Sequence, residues 1–236
     1  MNFDFEADPL GLLHQCDGYY GCPKDAGGSR LGPLVGYAGT YGDEGKHYVG
    51  DVFYNFAAAE SYPEVVHEFA GRMNVKLEDL GITLDLILAA PMGGIILGAA
   101  VALETSTRFA FAEKKITAVE AASSREESQL VMGRHTIPAG SRVILVEDVC
   151  NNFSTTEKAR QLIAKAGAEM VAVCCFLNRS PEVEWSGVPV ISLVHVPTAQ
   201  YEQDDPAVAD DIQRGNVVWK PKNEWMRLMQ AMEVNS

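Results

Sequence analysis

Four short apolar runs constrain the fold of this chain more than any other feature. They are LDLILAA (84–90), RVILVED (142–148), MVAVCCFLN (170–178) and VPVISLV (188–194). Each has the length of a strand, and none shows the alternation of a half-exposed one. Strands of this kind are covered on both faces, as in parallel sheets. Helical patterns lie between them, at IILGAAVALE (95–104) and TTEKARQLIAKAGA (155–168), and TRFAFAE (107–113) reads as a further strand. Upstream, DVFYNF (51–56) reads as a strand. In YPEVVHEFAGRM, Val65, Val66, Phe69 and Met73 share one helical face behind Pro63, which a first helical turn tolerates. The alternation predicts an α/β fold with a mostly parallel, twisted sheet flanked by helices. In such sheets ligands bind beyond the carboxyl ends of the strands.

Length and charge narrow the function. The chain has 236 residues, which suits one sizeable domain with terminal extensions. Its net charge is −13, so phosphate backbones repel it and nucleic acid is not an expected partner. The start, MNFDFEADPLG, lacks the basic and apolar regions of a signal peptide. No apolar stretch reaches the ~18 residues of a membrane span. Five cysteines, an odd number with two inside an apolar run, point to a reducing compartment. Together these predict a cytoplasmic protein with no membrane partner. In HQCDGYYGC, His14, Cys16 and Cys22 are too loosely spaced for a zinc site, and local packing is the favoured reading. VVWKPK, with Trp219, Lys220 and Lys222, reads as a packed tail with solvated lysines, or as a segment that docks on the active site or a partner.

The chemistry concentrates in VILVEDVCNNFSTTEKA (143–159). An apolar strand delivers Glu147 and Asp148 to its open end, where the chain can twist both toward a ligand. A polar turn follows. Ser154-Thr-Thr-Glu157 is a capping-box pattern, so the loop leads into a helix N-terminus, where backbone N–H groups favour an anion. An ordinary cap would use the same residues. Two acids beside an anion site suit a ligand that carries phosphate together with hydroxyls or a metal, such as a sugar phosphate with Mg²⁺.

This stretch resembles the phosphoribosyl pyrophosphate (PRPP) motif of the type I phosphoribosyltransferases, and AAPMGGIILGAAVA (89–102) looks like that family's pyrophosphate loop. The resemblance implies that Glu147 and Asp148 bind the ribose hydroxyls directly or through Mg²⁺. It implies that Asn151, Asn152, Phe153, Ser154 and Thr155 hold the 5′-phosphate, and that Met92, Gly93 and Gly94 meet the pyrophosphate. Lys114 and Lys115, at the end of the 107–113 strand, would also meet the pyrophosphate, or else form a solvated pair. The polar insert 116–140, too long for a simple connection, takes the place of the family's mobile loop, with Arg125, Arg134 and His135 as its candidate residues. Within the family the likeness is to orotate phosphoribosyltransferases and covers roughly residues 45–195. It rests on residues 50–71, which resemble that group's first strand and helix, and on CCFLNRS (174–180), which resembles the strand ending in its Asp-Arg pair. A weak base pocket would take Lys46, Phe53 and Tyr54.

The implied organisation is an extension, 1–50, contributing to a small N-terminal hood, a core, 51–200, and a tail, 201–236. The implied partners are PRPP and a nucleobase, with orotate favoured, in a Mg²⁺-dependent homodimer. Departures from the family pattern are Phe153 where glycine is usual, and Val49 and Ala57 where the orotate enzymes carry Lys and Arg. Transfer to another base, or a regulator of the same fold without turnover, are the rival readings.

Overall fold

The computed structural model describes residues 2–119 and 126–234. In chain order the first elements are α1 (Pro9–Gln15), β1 (Tyr19–Gly21), β2 (Leu34–Tyr41), β3 (Lys46–Gly50), β4 (Val52–Tyr54) and α2 (Phe56–Glu60). Then come α3 (Pro63–Asp79), β5 (Leu86–Ala89), α4 (Gly94–Glu104), β6 (Arg108–Phe111), β7 (Glu113–Val119), β8 (Glu126–Val131) and β9 (Arg142–Cys150). The chain closes with α5 (Ser154–Lys165), β10 (Glu169–Asn178), β11 (Glu184–Trp185), β12 (Val188–His195), α6 (Ala209–Gln213), β13 (Val217–Val218) and α7 (Trp225–Val234).

These elements form two compact units, residues 1–12 with 59–197, and residues 13–58 with 198–236. The partition therefore differs from the one expected. Residues 1–12 belong to one unit, while residues 13–50 of the N-terminal extension and the C-terminal tail, 201–236, are parts of the other. In it, β13 of the tail pairs in parallel with β2, and Tyr201 bridges Val49. Arg30 joins the two segments further. Its guanidinium donates to Asp51 on one side and to Asp211 and the Ala207 carbonyl on the other. His14 stacks on Tyr19, and Cys16 and Cys22 are buried and not joined in a disulfide. Trp219 packs over Gly36, while Lys220 and Lys222 are exposed.

The larger unit is built on a six-stranded sheet of order β11-β12-β10-β9-β5-β6. All neighbours are parallel except the β11–β12 pair. The apolar runs become its central strands because neither face meets water. Every residue of β5 is buried, as is β9 from Val143 to Glu147. The amphipathic stripe of α3 buries Val65, Val66, Phe69, Ala70, Met73 and Leu77. The strand order makes β5 and β9 neighbours, although the chain visits β6 between them. That reversal leaves a crevice beyond their carboxyl ends, the usual ligand position in such sheets.

One expectation changes here: the strand read as 107–113 stops at Phe111. Beyond it β7 and β8 pair as an antiparallel ribbon with Lys114 opposite Leu130 and Lys115 opposite Gln129. Arg125 lies outside the described residues. No helix among the described residues is long and apolar enough to cross a membrane.

Candidate active site

β9 does not stop at the acid pair. It runs to Cys150, and on the β10 side Glu147, Val149 and Cys150 stay in register with Cys175, Leu177 and Asn178. On the β5 side the pairing ends at Val146, opposite Ala89. Glu147 and Asp148 are thus carried by a strand that is paired on the β10 side alone, beyond the point where its pairing with β5 ends.

The two side chains go different ways, as alternation along a strand dictates. Asp148 is half-buried and lies against the loop between β5 and α4. A Cβ at Gly93 would fall on its carboxylate, and one at Gly94 would strike the Val146 carbonyl oxygen. Only glycine lets this loop close so tightly on β9. The Pro91–Met92 peptide is cis, and Met92 is 82% exposed. Glu147 is 8% exposed and turns to α5, where Thr156 Oγ1 donates to its Oε1 at 2.8 Å. Burial, reinforced by the nearby Asp148 charge, raises the Glu147 carboxyl from 4.5 to about 7, against the lowering effect of Thr156.

The loop from β9 to α5 is built differently from a capping box. Ser154 is the first helical residue, not the cap, and the N-cap is Phe153, with φ 55° and ψ 18°. The Ser154 N–H donates to Asn152 Oδ1 at 3.2 Å. Glu157 turns outward to accept from Arg160 and Gln161. A side chain in the left-handed region costs ~1–2 kcal/mol. The phenyl ring offsets that by burial, which for such a ring is worth about 1.5–3 kcal/mol. It is 8% exposed and stacks on Trp185, with centroids 5.7 Å apart and planes at 22°. Asn152 and Ser154 on either side of it are exposed.

The remaining candidates scatter. Lys114 and Lys115 are exposed on the ribbon. Arg134 and His135 follow β8 and are pinned at its base. Arg134 pairs with Glu113 at 3.2 Å and lies over Phe111, and His135 meets the same ring edge-on at 4.7 Å. Lys46, Phe53 and Tyr54 belong to the other unit. There Lys46 pairs with Glu44, Phe53 packs against Trp225, and Tyr54 against Tyr19.

A family model, described as a phosphoribosyl transferase domain, matches residues 60–206. The chain belongs to the phosphoribosyltransferase family. An orotate phosphoribosyltransferase of Caldanaerobacter subterraneus subsp. tengcongensis is 28% identical over 162 residues, covering 68% of this chain and 77% of that one. An adenine phosphoribosyltransferase of Brucella anthropi is 32% identical over 149 residues, covering 58% and 77%. Among solved structures, adenine phosphoribosyltransferase from Leishmania donovani superposes with a TM-score of 0.53 at 15% identity, covering 82% of each chain. That last likeness bears on the fold alone.

For a phosphoribosyltransferase, the donor set at the crevice suits Mg²⁺. The cation takes oxygen ligands, and it commonly rests on one or two carboxylates plus the phosphates of its substrate. Glu147 and Asp148 provide two carboxylates, and no cluster of three or more His, Cys, Asp or Glu able to hold a metal occurs among the described residues.

Two features of the site were poorly visible in the sequence. The Thr156 hydroxyl, in the first turn of α5, is spent on Glu147. Arg179 is 7% exposed at the carboxyl end of β10, and its N–H donates to the Cys150 carbonyl at 2.8 Å. In the sequence it stands in CCFLNRS, the stretch likened to the strand ending in an Asp-Arg pair, and Asn178, Arg179 and Ser180 are all buried.

The close approach at Gly94 gives the first expected result. Gly94→Ala pushes a methyl group into backbone that cannot yield, so α4 must shift off β9. The expected loss is roughly 1–3 kcal/mol of stability, measured by urea unfolding. Wild-type stability in that variant would mean that the loop is looser in solution.

Proposed function

We propose that this chain transfers the phosphoribosyl group of PRPP to a ring nitrogen of orotate, releasing pyrophosphate and forming orotidine 5′-phosphate. The observation that carries transfer from PRPP is the acid pair at the sheet's reversal, with Asp148 against Gly93. Orotate is favoured by the relative matched over 68% of this chain and by the likeness of residues 50–71. Adenine is the second reading, favoured by the 32% identity to the Brucella enzyme and by Val49 and Ala57 where orotate enzymes carry cations.

In this reading the chain positions groups and stabilises charge. No side-chain nucleophile is needed, because the base nitrogen attacks the anomeric carbon as pyrophosphate leaves. Asp148 and Glu147 hold the ribose hydroxyls. The turn of Asn151, Asn152, Phe153, Ser154 and Thr155, at the N-terminus of α5, holds the 5′-phosphate. Backbone at Met92, Gly93 and Gly94 faces the pyrophosphate, with Lys114 and Lys115 approaching from the ribbon. A ribbon that closes over the site would exclude water from the activated sugar. Mg²⁺, when bound, neutralises charge on the departing pyrophosphate. A cytoplasmic homodimer completes the proposal.

The test is pyrophosphate release from Mg·PRPP with orotate, adenine, uracil, guanine and hypoxanthine, identifying each product by mass. Orotate is expected to give turnover at least 100-fold above any other base, since a site built to pair polar groups strongly rejects analogues that leave them unpaired. Turnover with adenine alone would replace the pyrimidine reading. Silence with all five bases, together with tight PRPP binding, would favour a sensor without turnover.

A further inference from the structure

Phe153 poses a problem that the family pattern does not answer. It occupies the left-handed N-cap of α5, a backbone conformation that glycine adopts freely and a phenylalanine does not. Such a residue persists only when its surroundings over-determine it. Here they do so from one side. The exposed Asn152 and Ser154 face solvent, while the Phe153 ring lies in the core cluster of Leu145, Cys150, Ala159, Ile163 and Val190. Its stacked partner, Trp185, is a partly buried residue of the two-residue strand β11 at the sheet edge.

We infer that Trp185 is a positioning residue for the phosphate-binding turn, acting through Phe153. The stack holds the phenyl ring inward, the ring holds the backbone left-handed, and that backbone aims the first N–H groups of α5 at the ligand. In a chain with glycine at this position the turn needs no such anchor. In this chain, sugar-phosphate affinity depends on an aromatic residue that makes no contact with the sugar phosphate. The inference rests on the phosphoribosyl reading above, and its ligand is the 5′-phosphate of that reading.

The experiment compares wild type, Trp185→Ala, Trp185→Phe, Phe153→Gly and the Phe153→Gly/Trp185→Ala double variant. Mg·PRPP binding is followed by calorimetry, and turnover by pyrophosphate release. Trp185→Ala is expected to weaken PRPP binding about 10-fold, the scale of one aromatic stack, while KM for the base stays within about twofold, since base contacts are untouched. Trp185→Phe keeps a stacking face and is expected to restore PRPP affinity to within about threefold of wild type. In the Phe153→Gly background, Trp185→Ala should have no further effect on PRPP, because the two residues act as one unit. A merely structural role would move base and PRPP together and would survive in that background. If Trp185→Ala does not fold, Trp185→Leu fills the space without a stacking face and carries the same expectation. PRPP affinity unchanged in Trp185→Ala, or an equal loss with glycine at 153, overturns the inference and leaves the phosphoribosyl reading standing. A wild-type chain that binds no PRPP overturns that reading, and this inference with it.

Discussion

Replacing Asp148 by asparagine is expected to lower kcat/KM for PRPP by about 100-fold or more while leaving the fold intact. The magnitude is that of removing one preorganised electrostatic contact from a reacting centre. The fold should survive because Asp148 is half-buried at a crevice, outside the apolar packing of the sheet. The substitution keeps its size against Gly93, where a larger group would not fit. What changes is charge. An amide has one acceptor oxygen where the carboxylate has two, and it carries no charge to oppose a divalent cation. The decisive measurement is Mg·PRPP affinity in the variant, beside its unfolding curve. Unchanged affinity with an unchanged curve would remove Asp148 from the site, and the central assignment with it.

Glu147→Gln is expected to act in opposite directions on stability and on function. The Glu147 carboxyl is raised from 4.5 to about 7, chiefly by burial. A raised carboxyl means that the folded chain holds its proton more tightly than the unfolded chain does. Stability from this group is fully present below about pH 4.5 and is lost as pH rises through about 7. The cost of keeping the ionised acid buried above that pH is about 3 kcal/mol. Glutamine removes the charge and still accepts from Thr156 Oγ1 through its own amide oxygen. The ligand-free variant should therefore be more stable than wild type at pH 8, and no more stable at pH 4. PRPP turnover should fall. Urea unfolding at both pH values checks the first part. A less stable variant at pH 8 would show that the carboxylate is already compensated in the free protein.

Much of the larger unit was legible in the chain because its information is local. Continuous apolar runs of strand length fit strands covered on both faces, and the stripe of Val65, Val66, Phe69 and Met73 fits a helix face on a core. The acid pair and the glycine pair were legible for a related reason. Each follows a buried strand, and the carboxyl ends of such strands open on a crevice.

Other features needed the third dimension. The capping pattern at Ser154 was overridden because burying the Phe153 ring against Trp185 outweighs a hydroxyl cap, and no local rule contains a partner more than 30 residues away. Whether Glu147 and Asp148 face one way depended on β9 continuing to Cys150, which the register with β10 decides. The joining of the first and last segments in one unit rests on Arg30 reaching Asp51 and Asp211, and on β13 adding to β2. The sequence by itself determined the class of fold and its buried strands, because hydrophobic periodicity is a property of short segments. Only the tertiary structure decided which way each carboxylate turns, what holds the phosphate turn and which segments share a core, because those depend on burial and pairing between residues far apart in the chain.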